Sequence, residues 1–411
     1  MTNSNRLITA TLILVTAVAT AFVTWFLLGR ETEPLQSEVL LRFEPTSSTP
    51  TRFEPPASQT PRNLVILIGD GMGFSHLKAA SSLIHGPDGR LTIERFPITG
   101  WAHTHSANDL YTDSAAGATA LATGQKTKPG AVSVDADGAS LSTLFEAARD
   151  AGKAVGVITD SAFFDATPAA FLAHRESRRD TLNVIEDMTS SGADVIIGET
   201  HQRLEEHEQW PQTLAGIEQR GVTVARSLED LEASSGPVLG LIDADTIALS
   251  DEAPDLEDFA GWAVERLAAD PEGFVLMIET EETDTASHRW EFERMVRGVD
   301  TLDRIAKQLV ERFGDTGETL VLVTADHETG GLALYDGGDG EPLRYAWATH
   351  GHTAEPVPVL AWGPGAEAFS GVHDNTEIAT RLAAVLGLEC CGHQEIHKPP
   401  AADATAGQPG L

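Results

Sequence analysis

Short runs of Val, Ile and Leu recur along the chain from Asn63 onward, and stretches mixing apolar and polar residues fill the intervals. The runs predict strands at 63–69, 154–159, 194–198, 238–242, 274–279, 319–324 and 357–362. They are continuous rather than alternating, as in strands buried on both faces. Helical patterns occupy 141–151, 181–190, 258–268 and 295–313, and a last one at 376–386 follows the final strand. Gly152, Gly192 and Gly314 stand just past three of them, where helix C-termini favour glycine. This alternation predicts an α/β fold: a mostly parallel central sheet with helices on both faces. No internal repeat and no Gly-x4-Gly-Lys-Ser/Thr phosphate loop is present.

The N-terminus is different. Residues 7–28 carry no charge and are long enough to span a bilayer as a helix. Arg6 precedes them, and Arg30, Glu31 and Glu33 follow, which favours a cytoplasmic N-terminus. An export signal retained as a membrane anchor is the favoured reading. Cleavage after Ala19-Thr20-Ala21 is the rival, although apolar residues continue beyond that point. The expected organisation is an anchor or signal at 1–29, a disordered Pro/Ser/Thr/Glu-rich linker at 30–62, a catalytic domain at 63–390 and a flexible tail at 391–411. The domain would then be periplasmic or extracellular.

Composition narrows the class. The 411 residues include 62 acidic and 28 basic side chains, for a net charge of −34. That balance opposes a nucleic-acid-binding surface and a polybasic membrane surface. The only cysteines, Cys390 and Cys391, exclude a disulfide scaffold and a cysteine zinc finger, and neighbours reach ordinary disulfide geometry with difficulty.

The chemistry lies where strands end. Asp70 closes the first strand; Asp160, Asp165 and Thr167 follow the second; Glu279 ends 274–279; Asp326 and His327 follow 319–324. Parallel sheets bind ligands beyond these carboxyl ends, so residues distant in sequence should converge. Asp284 and His288 are four apart, one helical turn, and His350-Gly351-His352-Thr353 precedes the last strand. Imidazole with carboxylate and no thiolate suits catalytic zinc, and oxygen donors alone suit magnesium. Glu281 and Glu282 read as an acidic surface loop, and His201, His207 and His373 as ordinary surface or loop histidines. In Thr112-Asp113-Ser114-Ala115-Ala116-Gly117, Ser114 would begin a helix, where free N–H groups favour an anion or alkoxide. The alternative for it is a plain helix cap.

The motifs Gly69-Asp70-Gly71-Met72-Gly73, Asp113-Ser114-Ala115-Ala116 and Asp165-Ala166-Thr167-Pro168-Ala169-Ala170 together resemble the alkaline phosphatase family, over about 63–388. The resemblance implies a three-layer αβα sandwich, two zinc ions and one magnesium ion. By similarity, Asp284, His288 and His352 would hold one zinc; Asp70, Asp326, His327 and the Ser114 oxygen would hold the other. Asp70 would bridge to magnesium with Thr167 and Glu279, backed by Asp165. Arg178 matches the phosphate-binding arginine, with Arg175 and Arg179 close by. His352 is preferred to His350 because the family's ligand precedes Thr in this context. The implied reaction is hydrolysis of small phosphate monoesters through a phosphoserine on Ser114. A phosphodiesterase or another hydrolase of the superfamily is the alternative, and a homodimer is left open. Thr285 and Ser287 depart from groups that touch phosphate or metal-bound water in some members, and the family's common disulfides have no counterpart.

Overall fold

The computed structural model describes residues 37–39, 60–86, 88–247, 254–336 and 343–392. Ten strands form the central sheet: β1 (Asn63–Gly69), β2 (Ile98–His103), β3 (Ala154–Ala162), β4 (Val195–Glu199), β5 (Thr223–Ala225), β6 (Val238–Ile242), β7 (Phe274–Thr280), β8 (Thr319–Thr324), β9 (Val357–Trp362) and β10 (Gly371–Asp374). Their order is β10-β2-β9-β8-β1-β7-β3-β4-β6-β5. Neighbours run parallel except at β9, which is antiparallel to both β2 and β8.

Each predicted run is a strand. Every residue of β1, β7, β8 and β9 is buried, which explains the continuous apolar runs inside them; their polar residues fall at the strand ends. Sequence reading missed β2, β5 and β10. In β2 buried positions are interspersed with partly exposed ones, while β5 and β10 are short and lie at the two edges of the sheet.

The main helices are α1 (Phe74–His85), α2 (Ser114–Thr123), α3 (Leu144–Asp150), α4 (Ala166–Leu172), α5 (Thr181–Ser190), α6 (Leu256–Leu267), α7 (Glu282–Arg289), α8 (Phe292–Phe313) and α9 (Asn375–Leu386). Helices α2, α3, α4 and α9 pack together as one layer; α1, α6, α7 and α8 form the other. The architecture is thus the expected α/β sandwich. Helix α8 buries Met295, Val299, Leu302, Ala306, Leu309 and Phe313, three or four residues apart, along one stripe. It begins at Phe292, ahead of its apolar pattern. Helix α6 begins at Leu256 because Asp255 caps it, accepting the N–H groups of Glu257 and Asp258.

Within the expected linker, Ser37–Val39 forms a short strand antiparallel to Leu343–Ala346, paired through Tyr345, Arg344 and Leu343. The expected anchor at 1–29 and the tail beyond Gly392 lie outside the described residues. Among the described residues no helix is long and apolar enough to cross a membrane. Contrary to expectation, the adjacent Cys390 and Cys391 are bonded to each other.

Candidate metal centre

Parallel register brings the polar strand ends to one edge. Ile68 of β1 stands beside Glu279 of β7 and Thr324 of β8, and Thr159 of β3 stands beside Glu279. Asp70, Asp160, Glu279, Asp326 and His327 therefore leave the sheet together. The chain turns at Gly71, with φ +66°. A Cβ there would lie 2.5 Å from Thr329 Oγ1 and 2.8 Å from Asp284 Oδ1, so only glycine fits.

Ser114 opens α2 but is not its cap. Asp113 caps the helix, its Oδ1 accepting the Ala116 N–H at 3.0 Å. Ser114 Oγ is left 3.4 Å from His327 Nε2. The small residues that follow have a packing reason: a Cβ on Gly117 would come within 2.6 Å of the Asp326 carbonyl oxygen.

Helix α7 places Asp284 and His288 on one face, His288 Nε2 lying 3.1 Å from Asp284 Oδ2. His352 Nε2 is 3.2 Å from His288 Nε2 and 3.7 Å from Asp284 Oδ1. His327 Nε2 lies 3.3 Å from Asp70 Oδ1 and 3.4 Å from Asp326 Oδ2. Two donor clusters result, Asp284–His327–His352 and Asp70–Asp326–His327, each with ligand atoms within 4.8 Å of one another. His288 adjoins the first. His350 stays outside, exposed and stacked on Trp290 at 3.6 Å.

Thr167 is buried in the first turn of α4, which Asp165 caps through the Ala166 N–H at 2.7 Å. Asp165 also accepts from Ser161 Oγ at 3.1 Å and from Arg178 Nη2. Arg178 Nη1 lies 3.8 Å from Asp113 Oδ2, so Asp113, the residue before Ser114, and Asp165 together hold its guanidinium. Arg175 is bound to Asp187 and Asn183, and Arg179 is exposed.

The donors fit cations. Asp70 Oδ1, Asp326 Oδ2, Glu279 Oε2 and Thr167 Oγ1 are buried without a hydrogen-bond partner. Nε2 of His288 and of His352 face each other while each Nδ1 is occupied by a backbone carbonyl, of His350 and Thr112. Burial, then the neighbouring Asp326 and Asp284, push the Asp70 carboxyl well above its usual range. Asp326 is pushed up to about 7 by burial and Asp284, and Glu279 rises through burial. Burial works against Asp284 too, but its hydrogen bond with His288 and the charges of His327 and His352 hold it low. Burial lowers His327 far below the usual imidazole value. Carboxylates packed this densely ionise together only around positive charge.

Three expectations are corrected. Glu282 is buried in a two-point pair with Arg294, and Glu281 is partly buried. Glu281 accepts the Thr285 hydroxyl at 2.6 Å, and burial raises its pKa well above normal. His373 is buried on β10, not at the surface. Ser287 is buried too, facing His76 Nε2 at 3.1 Å. Sequence reading missed Thr329, His76 and the Thr112 carbonyl, whose partners Asp284, Ser287 and His352 come from distant segments.

An α/β sheet whose strand ends gather imidazoles, carboxylates and a helix-start serine defines a metal-binding hydrolase. The family model for alkaline phosphatase matches residues 61–207, 208–340 and 340–388. The chain is 28% identical to alkaline phosphatase 3 of Bacillus subtilis (strain 168), covering 78% of this chain and 88% of the relative. It is 30% identical to streptomycin-6-phosphate phosphatase of Streptomyces griseus, covering 84% and 94%. The solved alkaline phosphatase from the Antarctic bacterium TAB5 is 27% identical, with TM-score 0.72, 80% of this chain and 99% of that chain aligned. A TAB5 variant solved with Mg bound aligns at 28% identity and TM-score 0.71, over 80% of this chain and 99% of that chain. The chain belongs to the alkaline phosphatase family and is a phosphomonoester hydrolase.

The buried carboxyls set a pH dependence for the metal-free protein. A group whose pKa is higher folded than unfolded binds extra protons in the native state, so stability falls as pH rises between the two values. Asp326 at about 7 and Asp160 at about 8 act this way, and each costs up to about 1.4 kcal/mol per pH unit within its window. His327 and His76, lowered by burial, act oppositely, but only up to the ordinary imidazole value of 6.5. Between pH 6.5 and about 8 the carboxyls remain. Chelator-treated protein is therefore expected to melt at progressively lower temperature across that range, and metal-replete protein to fall less steeply, because bound metal would keep Asp326 ionised while Asp160 still titrates. Thermal unfolding followed by fluorescence at fixed ionic strength checks this; a flat metal-free profile would refute it.

Proposed function

We propose that this protein hydrolyses phosphate monoesters through a phosphoserine on Ser114, at a centre of two zinc ions and one magnesium ion. The observation that carries it is the placement of Ser114 Oγ at the start of α2, 3.4 Å from His327 Nε2, with Arg178 held by Asp113, the residue before Ser114, and by Asp165. Asp284, His288 and His352 would hold one zinc, and Asp70, Asp326, His327 and Ser114 the other. Asp70, Thr167 and Glu279 would hold magnesium, with Asp165 supporting that side. The donor chemistry supports this division: imidazoles and carboxylates in the first two sets, oxygens only in the third. When bound, these ions acidify the serine hydroxyl and water and neutralise charge on the phosphoryl and leaving oxygens.

The remaining work falls to the chain. Ser114 Oγ attacks phosphorus in line with the departing alkoxide, and the helix N-terminus favours the negative charge gathering there. Arg178 lies at a suitable place to offer two N–H donors to the non-bridging oxygens, and Asp113 and Asp165 hold it without spending its whole fork. Water then cleaves the serine–phosphate bond and restores Ser114. A dianionic monoester has three terminal oxygens and a diester two, so with two held by Arg178 only the monoester leaves a third for the metal sites, which favours the monoester. Export through the apolar segment 7–28, to the periplasm or beyond, belongs to the same proposal.

The test is an assay of aryl phosphate, bis-aryl phosphate and aryl sulfate side by side, with wild type and Arg178→Ala. Wild type is expected to prefer the monoester. The variant should lose roughly 100-fold in kcat/KM for the monoester, the scale of a lost charge-assisted donor pair, and far less for the diester. A wild-type preference for diester or sulfate would overturn the assignment.

A further inference from the structure

We infer that Thr329 is a positioning residue whose single hydroxyl ties the two zinc sites together, fixing His327 for metal binding while holding Asp284. The inference rests on the proposed ligand sets. Thr329 is completely buried in a two-residue strand, Glu328–Thr329, that pairs antiparallel with His352–Thr353 and sets Thr329 opposite His352. Its backbone N–H donates to the Gly71 carbonyl at 3.0 Å, which locks it against the turn that follows Asp70. Its Oγ1 reaches two partners: Asp284 Oδ1, in a short hydrogen bond, and His327 Nδ1 at 3.2 Å.

A hydroxyl has one proton to give. The Asp284 carboxylate can only accept, so the Thr329 proton goes there. The Thr329 oxygen is then an acceptor, and His327 must carry its proton on Nδ1. That leaves Nε2 as a lone pair aimed at Asp70 Oδ1, Asp326 Oδ2 and Ser114 Oγ. The other two histidines achieve the same state differently. His288 Nδ1 donates to the His350 carbonyl, and His352 Nδ1 to the Thr112 carbonyl at 2.8 Å. All three rings thus present Nε2 to the centre, and His327 alone depends on a side-chain hydroxyl. That hydroxyl is engaged on its other side by a ligand of the neighbouring site. Orienting partners of this kind are worth about 10–100-fold in metal affinity.

The experiment compares wild type, Thr329→Val and Thr329→Ser. Valine keeps the shape without the hydroxyl, and serine restores the hydroxyl. Zinc affinity is measured by competition with a chromophoric chelator, and folding is checked by melting temperature of the metal-free proteins. The zinc-loaded proteins are then examined by proton NMR for the His327 Nδ1–H, assigned with a His327→Gln variant. Valine is expected to weaken zinc binding about 10–100-fold and to lose the slowly exchanging Nδ1–H signal, with serine recovering both. Wild-type zinc affinity and an unchanged signal in a folded Thr329→Val protein would overturn the role of Thr329 and leave the ligand sets standing. Failure of wild type itself to bind zinc would overturn the ligand sets, and this inference with them. If Thr329→Val does not fold, weak zinc binding by a folded Thr329→Ser would equally overturn the hydroxyl's role.

Discussion

Ser114→Ala is expected to lower phosphomonoester turnover by roughly 10³-fold or more, because it removes the nucleophile itself rather than a supporting contact. The fold should survive. Asp113, not Ser114, caps α2, and the hydroxyl's hydrogen-bond contact is with His327 Nε2 at 3.4 Å. The change leaves the apolar packing of Ala115, Ala118 and Leu121 untouched. A melting temperature close to wild type and unchanged metal content, measured by elemental analysis, would separate lost chemistry from lost structure. Acid quenching of wild type during turnover should trap a phosphate adduct, seen by intact-protein mass spectrometry and absent in the variant. Turnover at the wild-type rate by Ser114→Ala would remove Ser114 from the mechanism.

Metal removal is expected to be as severe. Asp70, Asp326 and Glu279 are buried, mutually repelling carboxyls, and two imidazole nitrogens confront each other 3.2 Å apart. Without positive charge, these groups take up protons or move apart, and the setting of Ser114 beside His327 goes with them. Exhaustive chelation should therefore abolish activity. Zinc with magnesium should restore it better than either ion alone, since two of the proposed ligand sets contain histidines and the third is all oxygen. Isothermal titration of the stripped protein, with activity followed in parallel, checks both statements. Full activity in protein shown to be metal-free would refute them.

Much of the site could be read in the chain because its residues mark strand ends. The middle of a strand buried on both faces is apolar, so Asp70 after Ile68-Gly69, or Asp326 after Val323-Thr324-Ala325, breaks the pattern where the sheet stops. The one-turn spacing of Asp284 and His288 is likewise local, and α7 realises it. Other features had no such mark. His373, Glu281 and Glu282 look like surface residues by type; the edge strand β10 and the packing of α7 bury or half-bury them. Arg175 and Arg179 stand close enough in sequence to Arg178 to cloud the choice of arginine, and only the fold separates them: Asp187 takes Arg175, while Asp113 and Asp165 take Arg178.

The sequence by itself determined the alternation of strands and helices, the edge of the sheet that carries the chemistry and the residue types gathered there. Hydrophobic period and strand-end polarity are properties of neighbours along the chain. The tertiary structure alone decided which ring nitrogens face each other, which carboxyls are crowded together and which hydroxyl reaches both Asp284 and His327. Gly71 bonds to Asp326 across 255 residues, Ser114 meets His327 across 213, and Thr329 meets Asp284 across 45. A buried group's protonation and orientation follow the charges within a few ångströms of it, and those charges are assembled only when distant segments fold together.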